Sequence, residues 1–237
     1  MQAESPGNIN DVFMGQGQQQ LYQTLRSTGK PIVTVVVAGR PRVLGPIDQS
    51  DAVLLAYLPC AEGGQAIAEV LFGNINPSGK VPLSYPRNTG DIDVYYHKPW
   101  GTYSQGSDDP FHDPIYPFGF GLSYTTFSYS NLYLSAGSIS AGSSVDAFVT
   151  CTNTGSRFGK EVALFYIKQN YRLNLTPEDK LLKNFQKFGL DPGQQIVLKA
   201  TFTPEDMSYF FRNQNPILET GTYSVLIANL KADFVVY

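Results

Sequence analysis

Cysteine is scarce in this sequence, with only Cys60 and Cys151 in 237 residues, far apart and in segments of different texture. Such a pair excludes a disulfide framework, and neither cysteine has a metal-ligand partner at useful spacing. Two free thiols, buried or half-buried, are expected. Histidine is equally rare. His97 and His112 lie near Asp108, Asp109 and Asp113, but His112 followed by Asp113 is not a ligand spacing, so solvated loop residues and no metal are expected. Excess positive charge is also lacking. The net charge is −3, the pI is about 5.4, and no basic stripe occurs, which argues against a nucleic-acid partner. No apolar run approaches the roughly 18–20 residues of a membrane span. The opening MQAESPGNIND has neither the basic nor the apolar region of a signal peptide. There is no GxGxxG and no P-loop lysine, so no phosphate-binding cofactor is expected.

What is present suits a folded, turn-rich chain. Hydrophobic residues make up 42% against 16% charged, with fifteen Tyr, fifteen Phe, 22 Gly and 16 Pro. The length has room for two domains, each with its own core. In residues 15–28, GQGQQQLYQTLRST, Leu21, Tyr22 and Leu25 fall at helical spacing and Gly29 stops the helix. IVTVVVA (32–38) is a continuous β-branched run, the pattern of a strand buried on both faces of a parallel sheet. AVLLAYL (52–58) repeats that signal after a crossover short for a βαβ unit, and a helix is expected over 62–72. Strand, crossover, strand, helix is α/β logic.

From Asn74 to Thr126 the chain is dense in Pro, Gly, Tyr and Asp, a texture of functional loops or belts between domains. Past Phe127 come short alternating segments: FSYSNLYL, VDAFVTCTNT, EVALFYIKQ, KLLKNFQKFGL, QQIVLKATFT and TYSVLIAN. Turn signals such as Asp191-Pro192-Gly193 separate them, and a helical turn is expected over 203–208. About seven strands over this length make an immunoglobulin-like sandwich. The fold class is therefore α/β, a partial parallel-sheet sandwich domain over 1–92, then a Tyr/Pro/Gly-rich belt over 93–126. An all-β immunoglobulin or fibronectin type III-like sandwich over 127–237 completes it.

Three segments, in order, resemble glycoside hydrolase family 3. GKPIVTVVVAGRPRVL (29–44) is similar to the family's strand and turn. AYLPCAEGGQAIAEVLFGNINPSGKVPLSYPR (56–87) is similar to its helix and NPSGK signature. FGFGLSYTTFSYSNL (118–132) is similar to its lead-in to the fibronectin type III-like domain. The resemblance implies an enzyme of barrel, α/β sandwich and β-sandwich, of which this chain holds the end of the second domain and all of the third. A domain rarely opens on a helix with no preceding strand, so the start at Met1 reads as arbitrary. The family's nucleophile is an aspartate of the barrel in a Ser-Asp-Trp-like motif. Asp48, Asp51, Asp91 and Asp93 sit in other contexts, and the missing N-terminal barrel is the implied partner.

Retaining glycoside hydrolysis needs two carboxyls about 5–5.5 Å apart, one nucleophilic and one acid/base. By the resemblance, Glu4 stands where the family's acid/base glutamate falls, although Asn8 replaces the usual Asp and Gln2 the usual Tyr. Read without the family, Glu4 is a solvated carboxylate near a terminus. Tyr95, Tyr96 and Trp100 are candidates for a sugar-stacking wall, or for aromatic packing between domains. Arg40 in GRP reads as a structural hydrogen-bonder more than a ligand contact, and the Gly63-Gly64 pair as close packing at a helix start. Asn174-Leu175-Thr176 has the pattern of an N-glycosylation sequon.

The function implied is part of a retaining, exo-acting β-glucosidase. It would act on oligo- or aryl-β-glucosides without a cofactor, and the family's full-length members are often periplasmic or secreted. The alternative is a non-catalytic carbohydrate-binding or docking module.

Overall fold

The computed structural model describes residues 12–91, 96, 97, 99, 114–212 and 215–237. They fall into two units. One comprises residues 12–75, 81–91 and 114–120; the other holds 76–80, the described residues between 96 and 99, 121–212 and 215–237.

In the first unit, helix α1 (Gln16–Arg26) buries Tyr22 and leaves Leu21 and Leu25 exposed. Arg26 in its last turn favours the negative end of the helix dipole and pairs with Asp51 at 3.1 Å. The same Asp51 carboxylate accepts from the Ile32 backbone N–H at 2.8 Å, which, ahead of Arg26, holds its carboxyl below the ordinary range. One carboxylate thus fixes the end of α1 against the start of the next strand. Strands β1 (Val33–Val36) and β2 (Ala52–Leu55) pair in parallel, Val33 opposite Ala52 and Val36 opposite Leu55. Their connection carries a 3₁₀ helix (Gly45–Gln49), and helix α2 (Gly63–Leu71) follows β2.

The α/β logic holds, but the strands are shorter than the β-branched runs. Val33 is 55% exposed where burial on both faces was expected. Each strand has one hydrogen-bonded neighbour among the described residues, so Val33 has too little sheet around it to be enclosed. Residues 81–85 and 115–120 run antiparallel, with Val81 N donating to Phe120 O at 2.8 Å and Tyr85 N to Tyr116 O at 2.8 Å. The core is small: Tyr22, Val36, Leu44, Ile47 and Tyr85.

The second unit contains a sandwich of two sheets. One runs in the order β4 (Ser138–Ile139), β10 (Leu230–Val236), β9 (Gly221–Ile227), β6 (Gly159–Gln169), β7 (Leu181–Leu190). The other is β3 (Phe127–Leu134), β5 (Val145–Asn153), β8 (Gln195–Phe202). Period-two alternation builds the core. Val145, Ala147, Val149 and Cys151 point in from β5 and meet Phe165 and Ile167 of β6, and Val225 and Ile227 of β9, in one cluster. All six alternating segments of the sequence are strands. The expected helical turn is α3 (Pro204–Met207), closed by a capping box in which Thr203 and Asp206 satisfy each other's backbone N–H groups.

The free thiols divide. Cys151 is buried, whereas Cys60 is exposed on the loop after β2, contrary to the expectation of two covered thiols. No described helix is long and apolar enough to cross a membrane.

Candidate functional site

In open α/β sheets, ligands bind outside the carboxyl ends of the strands. Here those ends, Val36 and Leu55, lie side by side, and the loops leaving them carry Arg40, Arg42 and Tyr57. Tyr57 has φ 49°, the left-handed region that a bulky side chain rarely enters. Its hydroxyl is sealed from solvent without a hydrogen-bond partner, and burial, followed by the neighbouring Tyr85, raises its pKa. Cys60, three residues on, is also left-handed at φ 58°. Strain of this kind costs about 1–3 kcal/mol per residue and concentrates at functional loops.

Two further tyrosines support this loop. Tyr85 is buried, and its hydroxyl accepts from Arg42 N at 3.2 Å. Tyr116 donates to Asp48 Oδ1 at 2.5 Å and stacks on Phe120, ring centroids 5.4 Å apart. Burial first, then the Asp48 hydrogen bond, lifts the Tyr116 pKa far above that of a free phenol. All three phenols therefore stay neutral at physiological pH. They can hold or orient a polar ligand but cannot serve as bases.

The carboxylates of this unit are committed to structure. Asp48 is bound by Tyr116, and Asp51 by Ile32 N and Arg26. The buried Asp91 accepts from Arg87 N at 3.1 Å and Asn88 N at 2.7 Å. No group of three or more His, Cys, Asp or Glu among the described residues suits a metal ion. Of the residues singled out in the sequence, Glu4, Asp93, Tyr95, Trp100 and His112 lie outside the described residues. Tyr96 belongs to the second unit, its ring edge-on to Tyr166 with centroids 6.1 Å apart. Gly63 is a packing glycine, since a Cβ there would come 2.5 Å from the Pro59 ring.

A second constellation, inside the β-sandwich unit, was not anticipated. Asn76 Oδ1 accepts from Ser123 Oγ and Tyr124 N, both at 2.8 Å, while its Nδ2 donates to Phe158 O at 3.0 Å. Lys80 Nζ reaches Glu161 at 2.9 Å and Gly121 O at 3.1 Å. Thr125 Oγ1 donates to the wholly buried Asn153 at 2.7 Å. Gly121 cannot be larger, because a Cβ would fall 2.3 Å from Gly79 O. The NPSGK and GLSYT segments are thus clasped together on the sandwich. Their recurrence as motifs was the available signal; that they meet each other was not.

The comparisons with known proteins agree with this architecture. The model of the glycosyl hydrolase family 3 C-terminal domain matches residues 3–124, and that of a fibronectin type III-like domain matches residues 161–230. A lysosomal beta glucosidase of Dictyostelium discoideum is 40% identical over 96% of this chain and 28% of its own length. A periplasmic beta-glucosidase of Salmonella typhimurium is 37% identical over 95% and 31%. Among solved structures, a β-glucosidase from Erythrobacter marinus superposes with a TM-score of 0.91 at 31% identity, covering 98% of this chain and 32% of that one. A β-glucosidase from Listeria innocua in complex with glucose gives 0.88 at 29%, over 97% and 34%. The chain spans about a third of the length of these relatives.

Proposed function

Given that the chain belongs to glycoside hydrolase family 3, we propose that it is the C-terminal part of a retaining, exo-acting β-glucosidase removing terminal β-D-glucosyl residues. The observation that carries this reading is the unbroken likeness to β-glucosidases along 95–96% of the chain. In this reading the nucleophilic aspartate belongs to a barrel outside these 237 residues. Glu4 protonates the leaving oxygen as the aspartate attacks the anomeric carbon, then takes a proton from the water that releases the sugar. An acid in that role needs a raised pKa, and the nucleophile's negative charge beside it supplies one cause. The tyrosine-lined loops after β1 and β2 provide neutral hydrogen-bonding groups, and the sandwich provides a rigid base.

Hydrolysis of an aryl β-glucoside tests this. The 237-residue chain alone gives no turnover above background. Joined to a family barrel that carries the nucleophile, it gives turnover with retention at the anomeric carbon, and Glu4→Gln lowers that turnover about 10²–10⁴-fold. Turnover by the isolated chain, abolished by Glu4→Gln, would overturn the division of labour.

A further inference from the structure

Among the described residues, five buried side-chain polar atoms make no hydrogen bond, and three of them, Gln169 Nε2, Arg172 Nη1 and Glu178 Oε2, belong to residues lining one cavity. The cavity measures about 10 Å³ and lies within the β-sandwich unit, closed by Ile167, Leu181 and Met207. Gln169 and Arg172 are 4% and 6% exposed. The orientation of the Gln169 amide is fixed, because Arg172 Nε donates to its oxygen at 2.7 Å and arginine can only donate. Gln169 Nε2 is therefore a donor left without an acceptor. Arg172 Nη1 and Glu178 Oε2 approach to 2.6 Å, an ion pair by distance but without the angles of a hydrogen bond.

We infer that this cavity is a built binding site for one water molecule. Water accepts from Gln169 Nε2 and Arg172 Nη1 and donates to Glu178 Oε2, the three bonds typical of a buried water in a space of this size. An anion is disfavoured, since Arg172 is outweighed by Glu178 and Asp206 in the lining. A cation is disfavoured because two of the three free atoms are donors. The site has a structural consequence. Gln169 ends β6, and Arg172 and Glu178 lie near the two ends of the 170–180 connection to β7. One water therefore pins both ends of a segment whose Tyr171 and Leu173 are exposed. Arg172 stacking on Tyr209 at 4.5 Å and Leu173 N donating to Glu219 at 3.0 Å hold the same segment.

A crystal structure of the 237-residue chain, at a resolution that shows ordered water, is expected to show one peak about 2.7–3.2 Å from all three atoms. An empty cavity would overturn the inference. So would a direct Gln169–Glu178 hydrogen bond closing it, or a bromide anomalous peak after soaking. In solution, Leu181→Met sends one more heavy atom toward the cavity and displaces the water, leaving three atoms unsatisfied. Its melting temperature is expected to fall about 2–4 °C further than that of Leu190→Met, the same exchange away from the cavity. A fall equal to or smaller than that control would mean a dry void, and the inference would fail.

Discussion

The two units solve the same problem of burial differently. In the β-sandwich, two sheets present inner faces to each other, so every second residue of β5 from Val145 to Asn153 is buried. In the α/β unit, two short parallel strands expose Val33 and Val37, and α2 ends in Leu71 and a Phe72 that is 84% exposed. Parallel sheets are stable when both faces are covered. The contrast teaches that the sandwich carries its stability within itself, while much of the α/β unit's apolar surface contributes nothing to the core described here.

Removing a core side chain from each unit tests that contrast most severely. Phe165 is wholly buried among residues of both sheets, so Phe165→Ala is expected to cost about 3–5 kcal/mol. Val36→Ala, in a core of five buried residues, is expected to cost about 2 kcal/mol. Hydrogen exchange reads the two units separately and so checks both values. Equal costs would break the comparison.

The clasp gives the next effect. Lys80→Met leaves Glu161 in a site where its side chain is 10% exposed, without its ion-pair partner. Breaking a fully buried pair costs about 3–5 kcal/mol. Because the Lys80 side chain is 19% exposed, about 2 kcal/mol is expected. Adding Glu161→Gln should recover part of the loss, because no charge is then left buried. Urea midpoints of the single and double variants decide it, and a double variant no better than Lys80→Met would show that the pair is not what holds the segment.

The same contrast explains what could be read from sequence. The sandwich was legible because alternation is local, and FSYSNLYL coincides with β3. Strand β10 was not singled out, because the turn before it puts Ala228 at φ 50° without a glycine or other strong turn signal. The α/β strands were read too long, since a run of valines continues past the point where pairing stops. At the site, Glu4, Tyr95, Tyr96 and Trp100 came from the family resemblance and aromatic spacing. Tyr57, Tyr85 and Tyr116 come together only through long-range folding. Nothing in AYLPC announces a left-handed tyrosine, because its backbone is held there by the surrounding structure.

The two thiols offer a smaller test of the same difference. Burial, partly offset by a hydrogen bond with Tyr129, pushes the Cys151 thiol from 9.0 to about 11, whereas Cys60 is exposed. At pH 8 Cys151 is about 10⁻³ ionised as well as covered, so one thiol per native chain should react with a chromogenic disulfide and two after denaturation. The sign of the pH effect follows. The folded state keeps the Cys151 proton that the unfolded chain releases above 9.0, so this contribution is complete below that pH and is lost as pH rises to about 11. Cys151→Ala should flatten the fall in stability over that window. Two thiols reacting at equal rates in the native chain would show that the sandwich core is not closed.

The smallest expected effect lies in the α/β unit and separates its two partly buried phenols. Tyr116→Phe takes away the hydrogen bond to Asp48 and leaves a half-buried carboxylate without it, at a cost of about 1–2 kcal/mol. Tyr57→Phe removes a hydroxyl that has no partner, so stability should change by less than about 0.5 kcal/mol or rise slightly, because the desolvation penalty of that group disappears. Hydrogen exchange on β2 measures both. Should Tyr57→Phe cost as much as Tyr116→Phe, the hydroxyl is bonded in solution and belongs to the fold. If it costs nothing in stability yet lowers kcat/KM once the chain is joined to a barrel, the strained turn after β2 exists to present that hydroxyl to substrate. That result would give the thinner of the two units its function, because a strained loop there would be maintained for the ligand and not for the core.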